Sequence, residues 1–123
     1  KTAVVHLVLW VLVLTADAFL TTTFRKRTIT FSHDNKVNQI FNSFLQETKL
    51  PIVANFYAKW CSPCELMRTQ LEDLASRLEG RATVVTIDSD KAPTLVKMFE
   101  VEALPTVVIF HKGIAVDKIV GFH

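Results

Sequence analysis

The sequence predicts an α/β domain in which helices flank a central, mixed β-sheet. Short apolar runs of strand length alternate with amphipathic stretches of helical period, and the last two strand-like runs are joined by a two-residue turn. A chain of 123 residues has room for one such core. Half of the residues are hydrophobic, whereas there are only 3 Gly and 4 Pro, so the composition excludes disordered and collagen-like chains.

The first half of this domain is predicted to run strand, helix, strand, helix. A first strand lies near Thr28 to Phe31, and Asp34 is placed to cap the helix that follows. The strand at 52–58 begins after Pro51, and the next helix ends at Gly80. The predicted apolar helix faces are Val37, Ile40, Phe41, Phe44 and Leu45 in the first helix, and Met67, Leu71, Leu74, Ala75 and Leu78 in the second.

The second half is predicted to add three strands and one short helix. Residues 82–87 are rich in β-branched side chains and predict a strand, and a short helix follows at 93–99. Two further strands, 106–110 and 114–120, flank Lys112-Gly113 and predict a hairpin. Phe99, like Phe41 and Phe44, has helical spacing and is predicted to lie in the core rather than to contact a cofactor.

Residues 1–18 have the layout of a secretory signal peptide. Lys1 precedes an apolar run, and the small-residue pattern Ala16-Asp17-Ala18 follows it. The run is shorter than the roughly 20 residues of a membrane-spanning helix. A buried core helix is the alternative, but the run has no polar face. If the leader is not cleaved, it would tether the domain to a membrane.

Residues 19–33 have the composition of a transit peptide. The segment is rich in Thr, contains the bases Arg25-Lys26-Arg27 and lacks acids. A signal-like run before such a segment resembles the two-part plastid presequence of algae with secondary plastids. Because 4 of the 14 bases but only 1 of the 12 acids precede Asp34, the rest of the chain is near neutral. The three bases are too few, and lack an interleaved aromatic face, for a nucleic-acid site.

The chemistry is predicted at the junction between the second strand and its helix. Cys61 and Cys64 are the only two cysteines, and two residues between them at a helix start allow the sulfurs to meet. The helix N-terminus favours a thiolate at Cys61, which we expect to be the exposed nucleophile, whereas Cys64 is expected to be more buried. Such a pair can attack a disulfide and then resolve the mixed disulfide. Pro63 suits the first helical turn.

Two other roles for the cysteines are open. A structural disulfide would close so short a loop that it would constrain the unfolded chain little. A zinc site needs four ligands, and His33 and His111 do not have ligand spacing with the cysteines. A C-x-x-C sequence in a strand–helix–strand pattern instead favours redox chemistry, with no metal or other cofactor beyond the Cys61–Cys64 disulfide.

Two segments carry a resemblance to the thioredoxin family. The sequence FYAKWCSPC at 56–64 resembles its active-site segment, and VEALPTVVIF at 101–110 resembles its second motif. The resemblance extends over residues 28–123. Within the family, the chain is also similar to plastid thioredoxins, among them the y-type. The resemblance implies that Trp60, Ser62 and Pro63 support the cysteines, and that Leu104 and a cis Pro105 form the groove that receives substrate backbone.

The sequence departs from the family pattern at several positions. Asn55 stands where the family usually has a buried Asp, and Val84 where that acid has a Lys partner. An amide cannot take the proton of Cys64, so we expect a slower resolving step; alternatively, Asn55 is only a hydrogen-bonded strand residue. Ser62 replaces a common Gly, and Glu65 replaces a common base. The family's final helix is missing after residue 121, which predicts exposure of Val107, Ile109 or their neighbours and a truncated domain.

The resemblance implies an enzyme that reduces protein disulfides through Cys61 and Cys64 and is itself reduced by a thioredoxin reductase. We expect a monomer located in a plastid, with the secretory pathway or a membrane anchor as alternatives. The leader would contact translocation machinery. A binding or scaffold protein, in which the groove near Pro105 holds a client and redox turnover is weak, is the second class of function.

Overall fold

The computed structural model describes residues 28–31 and 36–121, and the predicted signal and transit segments therefore lie outside the described residues except for the strand at 28–31. In order, the elements are β1 (Thr28–Phe31), α1 (Val37–Glu47), β2 (Ile52–Tyr57), α2 (Ser62–Arg77), β3 (Thr83–Asp88), α3 (Pro93–Met98), β4 (Thr106–His111) and β5 (Ile114–Val120). Every predicted strand and helix is present, with ends that shift by a few residues at most. Within the described ranges, no helix has the length and apolar character needed to cross a membrane.

The five strands form one mixed sheet in the order β1-β3-β2-β4-β5. β3 pairs in parallel with both β1 and β2, because α1 and α2 are the crossover connections. β4 runs antiparallel to β2 and to β5. The β4–β5 turn has positive φ at both central residues, 53° at Lys112 and 79° at Gly113, as a two-residue hairpin requires. The predicted mixed sheet and hairpin are confirmed.

One face of the sheet is covered by α1 and α3 and holds an aromatic core. Phe41 is fully buried, and its ring centroid lies 5.1 Å from Phe31, 5.8 Å from Phe99 and 5.7 Å from Phe110. Phe44 packs at the edge of the same cluster. Edge-to-face contacts at these distances add to the free energy gained from apolar burial. The prediction that Phe41, Phe44 and Phe99 belong to the core is confirmed.

The N-terminus of α1 differs from the sequence prediction. The helix begins at Val37 with Lys36 at the N-cap position, and no side chain caps it. Asp34, the predicted cap, lies outside the described residues. No capping side chain therefore stabilises the start of this helix. The helix is held on the sheet by its buried apolar residues, Val37, Phe41 and Leu45.

The opposite face of the sheet is covered by α2. Leu71 and Ala75 of this helix pack against Val84 and Val107, with Met67 and Leu74 beside them. Val107, which was predicted as a candidate for exposure, is therefore 5% exposed, because α2 reaches across to β4. Ile109 is partly exposed, and the neighbouring strand β5 carries exposed large apolar residues, as the prediction allowed: Ile114, Val116, Ile119 and Val120.

Candidate active site

The candidate active site lies where β2 ends and α2 begins. β2 is a central strand, so its carboxyl end opens between the connections that follow β2 and β3. After Tyr57 the chain turns, and the N–H of Cys61 donates to the carbonyl oxygen of Ala58 at 3.2 Å. Ala58, Cys61 and Cys64 form a small buried cluster against Tyr57 and Leu104. The cysteine pair is thus held at the carboxyl end of the central strand β2.

Cys61 and Cys64 form a disulfide with their Cα atoms 5.3 Å apart. Cys61 is the N-cap of α2, and its Sγ accepts a hydrogen bond from the backbone N–H of Cys64 at 3.3 Å. Cys64 is the more buried of the two, at 2% exposed, as predicted. Cys61, predicted to be exposed, retains only 7%, because the disulfide and Leu104 cover it.

The first turn of α2 follows from the residues between and after the cysteines. Ser62 and Pro63 are its first two residues, both exposed, and the N–H that Pro63 lacks would have no partner within the helix. Glu65 supplies the acidic charge that this end of a helix favours. Arg68 donates to Glu65 and lowers the pKa of that carboxyl below its usual value through the hydrogen bond. The sequence identified Glu65 as a departure but did not identify Arg68 as its partner.

Trp60 stands on the surface beside the cysteine pair. The residue is 71% exposed, and its indole N–H donates to Oδ2 of Asp90 at 3.0 Å. Asp90 is itself held by its backbone N–H, which donates to Oδ1 of Asp88 at 3.1 Å. Asp90 lies 30 residues along the chain, in the connection after β3, so only the parallel pairing of β2 and β3 reveals this contact.

Leu104 and Pro105 lie directly before β4, whose first residue, Thr106, pairs with Phe56 near the end of β2. The peptide bond between them is cis, as the resemblance implied. Leu104 is half-buried against the two cysteines, and Pro105 is fully buried. Thr106, the first residue of β4, donates from its hydroxyl to the carbonyl oxygen of Ala103 at 2.6 Å, which fixes the turn. Sequence reasoning did not single out Thr106.

Asn55 is buried beneath the first turns of α2. It is 1% exposed and lies on β2 between Val53, which packs against the cluster that contains Leu71, and Tyr57, which packs against the cysteines. Since alternate residues of a strand share a face, Asn55 faces the stretch of α2 from Cys64 to Leu71. Neither its Oδ1 nor its Nδ2 has a hydrogen-bond partner in the structure, which argues against a merely hydrogen-bonded strand residue.

Val84 is an apolar neighbour of Asn55 on the same face. It is 1% exposed and packs with Leu71, Ala75 and Val107. The register pairs Val84 with Val53, one step along β2 from Asn55 on that face. A Lys at position 84 would bring a charge into this cluster. Burying one charge without a partner lowers the stability of the folded protein by roughly several kcal/mol. Asn55 and Val84 are therefore compatible as an uncharged pair.

Tyr57 adds a titratable group that the sequence did not indicate. It is the single tyrosine of the chain, and its ring packs against the cysteine cluster. Burial, followed by the negative charge of Asp88, raises its pKa above the usual 10.0. Tyr57 is therefore an uncharged neighbour of the cysteines at physiological pH.

Among the described residues, no cluster of three or more His, Cys, Asp or Glu side chains could hold a metal ion.

Comparison with known proteins identifies the family to which this chain belongs. The thioredoxin family profile matches residues 32–123, and the chain belongs to the thioredoxin family. The Cys61–Cys64 pair at disulfide distance is consistent with the dithiol–disulfide exchange of that family.

Two relatives illustrate the similarity. The chain is 41% identical over 86 residues to "Thioredoxin Y2, chloroplastic" of Arabidopsis thaliana, a match that covers 68% of this chain and 52% of the relative. It is 40% identical over 70 residues to thioredoxin of Staphylococcus aureus, covering 57% of this chain and 67% of the relative. The chain thus spans about half the length of the chloroplast relative. These matches support the resemblance to plastid-type thioredoxins, including the y-type.

Proposed function

We propose that this chain is a thiol–disulfide oxidoreductase that reduces protein disulfides, with Cys61 as nucleophile and Cys64 as resolving thiol. The observation that carries the proposal is the hydrogen bond from the backbone N–H of Cys64 to Sγ of Cys61 at the start of α2. In the reduced protein, the same donor and the helix terminus stabilise a thiolate at Cys61. The thiolate is the form that attacks a disulfide.

The reaction transfers two electrons from the reduced cysteine pair to the client disulfide. The Cys61 thiolate attacks one sulfur of a client disulfide, forms a mixed disulfide and expels the other client sulfur as a thiolate, which takes a proton from solvent. Cys64 then loses its proton to water and attacks Sγ of Cys61, which expels the second client sulfur as a thiolate that takes a proton from solvent. The client disulfide is reduced and the Cys61–Cys64 disulfide is formed. A reductase of the thioredoxin-reductase class must then return two electrons to the pair, and no other cofactor is needed.

Leu104 and Pro105 are proposed to form the substrate groove with Trp60. Leu104 contacts the cysteine cluster, and Trp60, directly before Cys61 in the chain, presents an exposed ring. An extended client segment lying between these two side chains would bring its disulfide to Cys61. Ser62 and Pro63 are proposed to support the site by shaping the first turn of α2.

We propose that the resolving attack by Cys64 is slower with Asn55 than it would be with a buried carboxylate at the same position. The side chain lies in the apolar layer between β2 and the Cys64–Leu71 stretch of α2, and it has no group that can take a proton at neutral pH. The Cys64 proton must therefore leave through water or the backbone. The unpartnered amide atoms of Asn55 are placed to bind such a water.

An insulin disulfide reduction assay with dithiothreitol as electron donor tests the proposal. Cys61→Ser should abolish turnover, and Cys64→Ser should leave a mixed disulfide that is visible on a non-reducing gel. Ser76→Ala is the matched control, because the Ser76 hydroxyl bonds only within α2, to the carbonyl oxygen of Glu72, and should not change the rate. Turnover that survives Cys61→Ser would contradict the proposal, and client binding without turnover in the wild type would favour the scaffold alternative.

We further propose that residues 1–33 direct the domain to a plastid, as a signal peptide at 1–18 followed by a transit segment at 19–33. The support is the composition of the two segments together with similarity to a relative whose name places it in chloroplasts. The N-terminal sequence of the mature protein tests this. We expect it to start between Phe19 and Thr28, which keeps β1 in the mature domain; an intact leader would indicate a membrane-tethered domain.

A further inference from the structure

A charged network begins on α2 directly after the cysteine pair. The guanidinium of Arg68 bonds Glu65 through Nη2 at 2.5 Å and through Nε at 3.1 Å. Its Nη1 bonds Glu72 at 2.6 Å, so that one cation links carboxylates three residues before it and four residues after it. All three side chains are about half exposed or more. We call Glu65, Arg68 and Glu72 the α2 charge network.

The position of this network relates it to Cys61. Glu65 is the fourth residue of α2, and Cys61 caps the same helix end. A carboxylate there disfavours a thiolate on Cys61, and it opposes the effect of the helix terminus. Arg68 places a positive charge only about 4.5 Å further along the helix axis, given the rise of 1.5 Å per residue. Without Arg68, Glu65 and Glu72 of α2 would be two uncompensated carboxylates.

We propose that Arg68 is a positioning residue for the cysteine pair: by binding the Glu65 carboxylate and offsetting its charge, it keeps Cys61 acidic enough to react as a thiolate near neutral pH. This inference rests on the proposed function of Cys61 as nucleophile. The hydrogen bond from Arg68 lowers the pKa of Glu65, so the carboxylate that Arg68 offsets is ionised throughout the working pH range.

Other charged and titratable groups around Cys61 belong to other segments and stay constant in the test. Lys59 and Tyr57 lie just before Cys61, Asp88 ends β3 and is followed by Asp90 and Lys91, and Glu102 lies before β4. Asp88 is buried, and Asp90 is bonded by Trp60. A change confined to Arg68 or Glu65 therefore reports the contribution of the α2 charge network alone.

The same helix offers a matched control. Arg77 bonds Asp73 at 3.0 Å, an i, i+4 pair of the same kind, in the last turn of α2. Arg77 is 15 residues beyond Ser62, which places it about 22 Å along the helix axis, more than two Debye lengths at physiological ionic strength. Arg77→Ala removes one ion pair from α2, whereas Arg68→Ala removes two. Arg77 is too far from Cys61 to change the pKa of its thiol.

The experiment measures the rate of iodoacetamide alkylation of Cys61 against pH in the full chain carrying Cys64→Ser, so that one thiol reports. At physiological ionic strength, Arg68→Ala should raise the titration midpoint by about 0.3 pH unit, which lowers the alkylation rate at pH 7 by up to about twofold. Glu65→Gln should lower the midpoint, and Arg68→Lys should restore it toward wild type. High salt should reduce all of these shifts.

Equal midpoints for Arg68→Ala and Arg77→Ala, or a lower midpoint for Arg68→Ala, would overturn the inference. A merely structural role of the ion pairs would move the unfolding midpoints of both variants but not the thiol titration. The readout is also independent of turnover. A wild-type chain that fails to reduce insulin, but whose Cys61 midpoint responds to Arg68, would refute the proposed function and leave the electrostatic inference intact.

Discussion

The indole N–H of Trp60 donates a hydrogen bond to Oδ2 of Asp90 across 3.0 Å. The bond joins the connection that follows β2 to the connection that follows β3, two neighbouring parallel strands. Because Trp60 is 71% exposed, little packing holds its ring, and this bond determines its orientation. The exposed ring that we place at the client groove is thus set by a residue outside both sequence motifs.

Asp90→Ala should free the Trp60 ring, whereas Asp90→Asn keeps an acceptor oxygen and should retain most of the order. The indole N–H resonance of Trp60 measures this in a Trp10→Phe background. We expect an upfield, broadened signal for Asp90→Ala and a loss of unfolding free energy of about 1 kcal/mol, typical of one hydrogen bond. The apparent KM for insulin should rise for Asp90→Ala. An unchanged indole signal would show that the bond does not hold the ring.

Asn55→Asp should accelerate the resolving step, because a carboxylate facing the Cys64 end of α2 can take up the thiol proton. Burial raises the pKa of the introduced acid, so the rate should rise as pH increases from 6 to 8. Single-turnover reduction of a client disulfide, followed by stopped-flow fluorescence, measures the step. A rate that is identical to wild type over this pH range would refute the proposed role of Asn55.

The matched variant Asn55→Leu separates that role from stability. It removes two buried amide atoms that have no hydrogen-bond partner, so the free energy of unfolding should stay the same or increase. Asn55→Asp should instead be destabilised at neutral pH and recover at acidic pH, where its side chain is protonated. Denaturant unfolding at two pH values measures both effects.

Phe41→Ala should lower the free energy of unfolding by about 3–5 kcal/mol, the usual range for a fully buried aromatic residue. The ring is completely buried and contacts the rings of Phe31, Phe44, Phe99 and Phe110. Ile114→Ala is the control, since Ile114 is 67% exposed on β5 and its loss should cost about 0.5 kcal/mol or less. Guanidinium unfolding curves measure both; equal losses would contradict the assignment of the core.

Tyr57 should titrate above 10.0, because burial and the charge of Asp88 both disfavour its phenolate. The phenolate absorbance reports the residue directly, since the chain has one tyrosine. Asp88→Asn should lower the midpoint but not restore it fully, as burial is the larger cause. The raised pKa contributes stability that is complete below pH 10 and is lost as pH rises through the pKa of the folded state. A midpoint at or below 10 would contradict the packing of Tyr57.

Much of the fold was predictable because local patterns carry it. Alternating strand and helix periods predicted all the elements, and Lys112-Gly113 predicted the hairpin, since few residues tolerate positive φ at both turn positions. The spacing of Cys61 and Cys64 predicted that their sulfurs can form a disulfide, because the start of a helix brings residues three apart close together. These predictions depend on residues that are close in sequence, where backbone geometry leaves few choices.

The sequence by itself therefore determined the element order, the aromatic core and the chemical nature of the site. Only the tertiary structure decided what surrounds the cysteines: the bond from Trp60 to Asp90, the unpartnered amide of Asn55, and the burial of Val107 by α2. Arg68 belongs to the same group, because its rotamer selects Glu65 and Glu72 from several charged neighbours on the helix. These relationships depend on sheet order and side-chain direction, and neither is encoded in the period of a single segment.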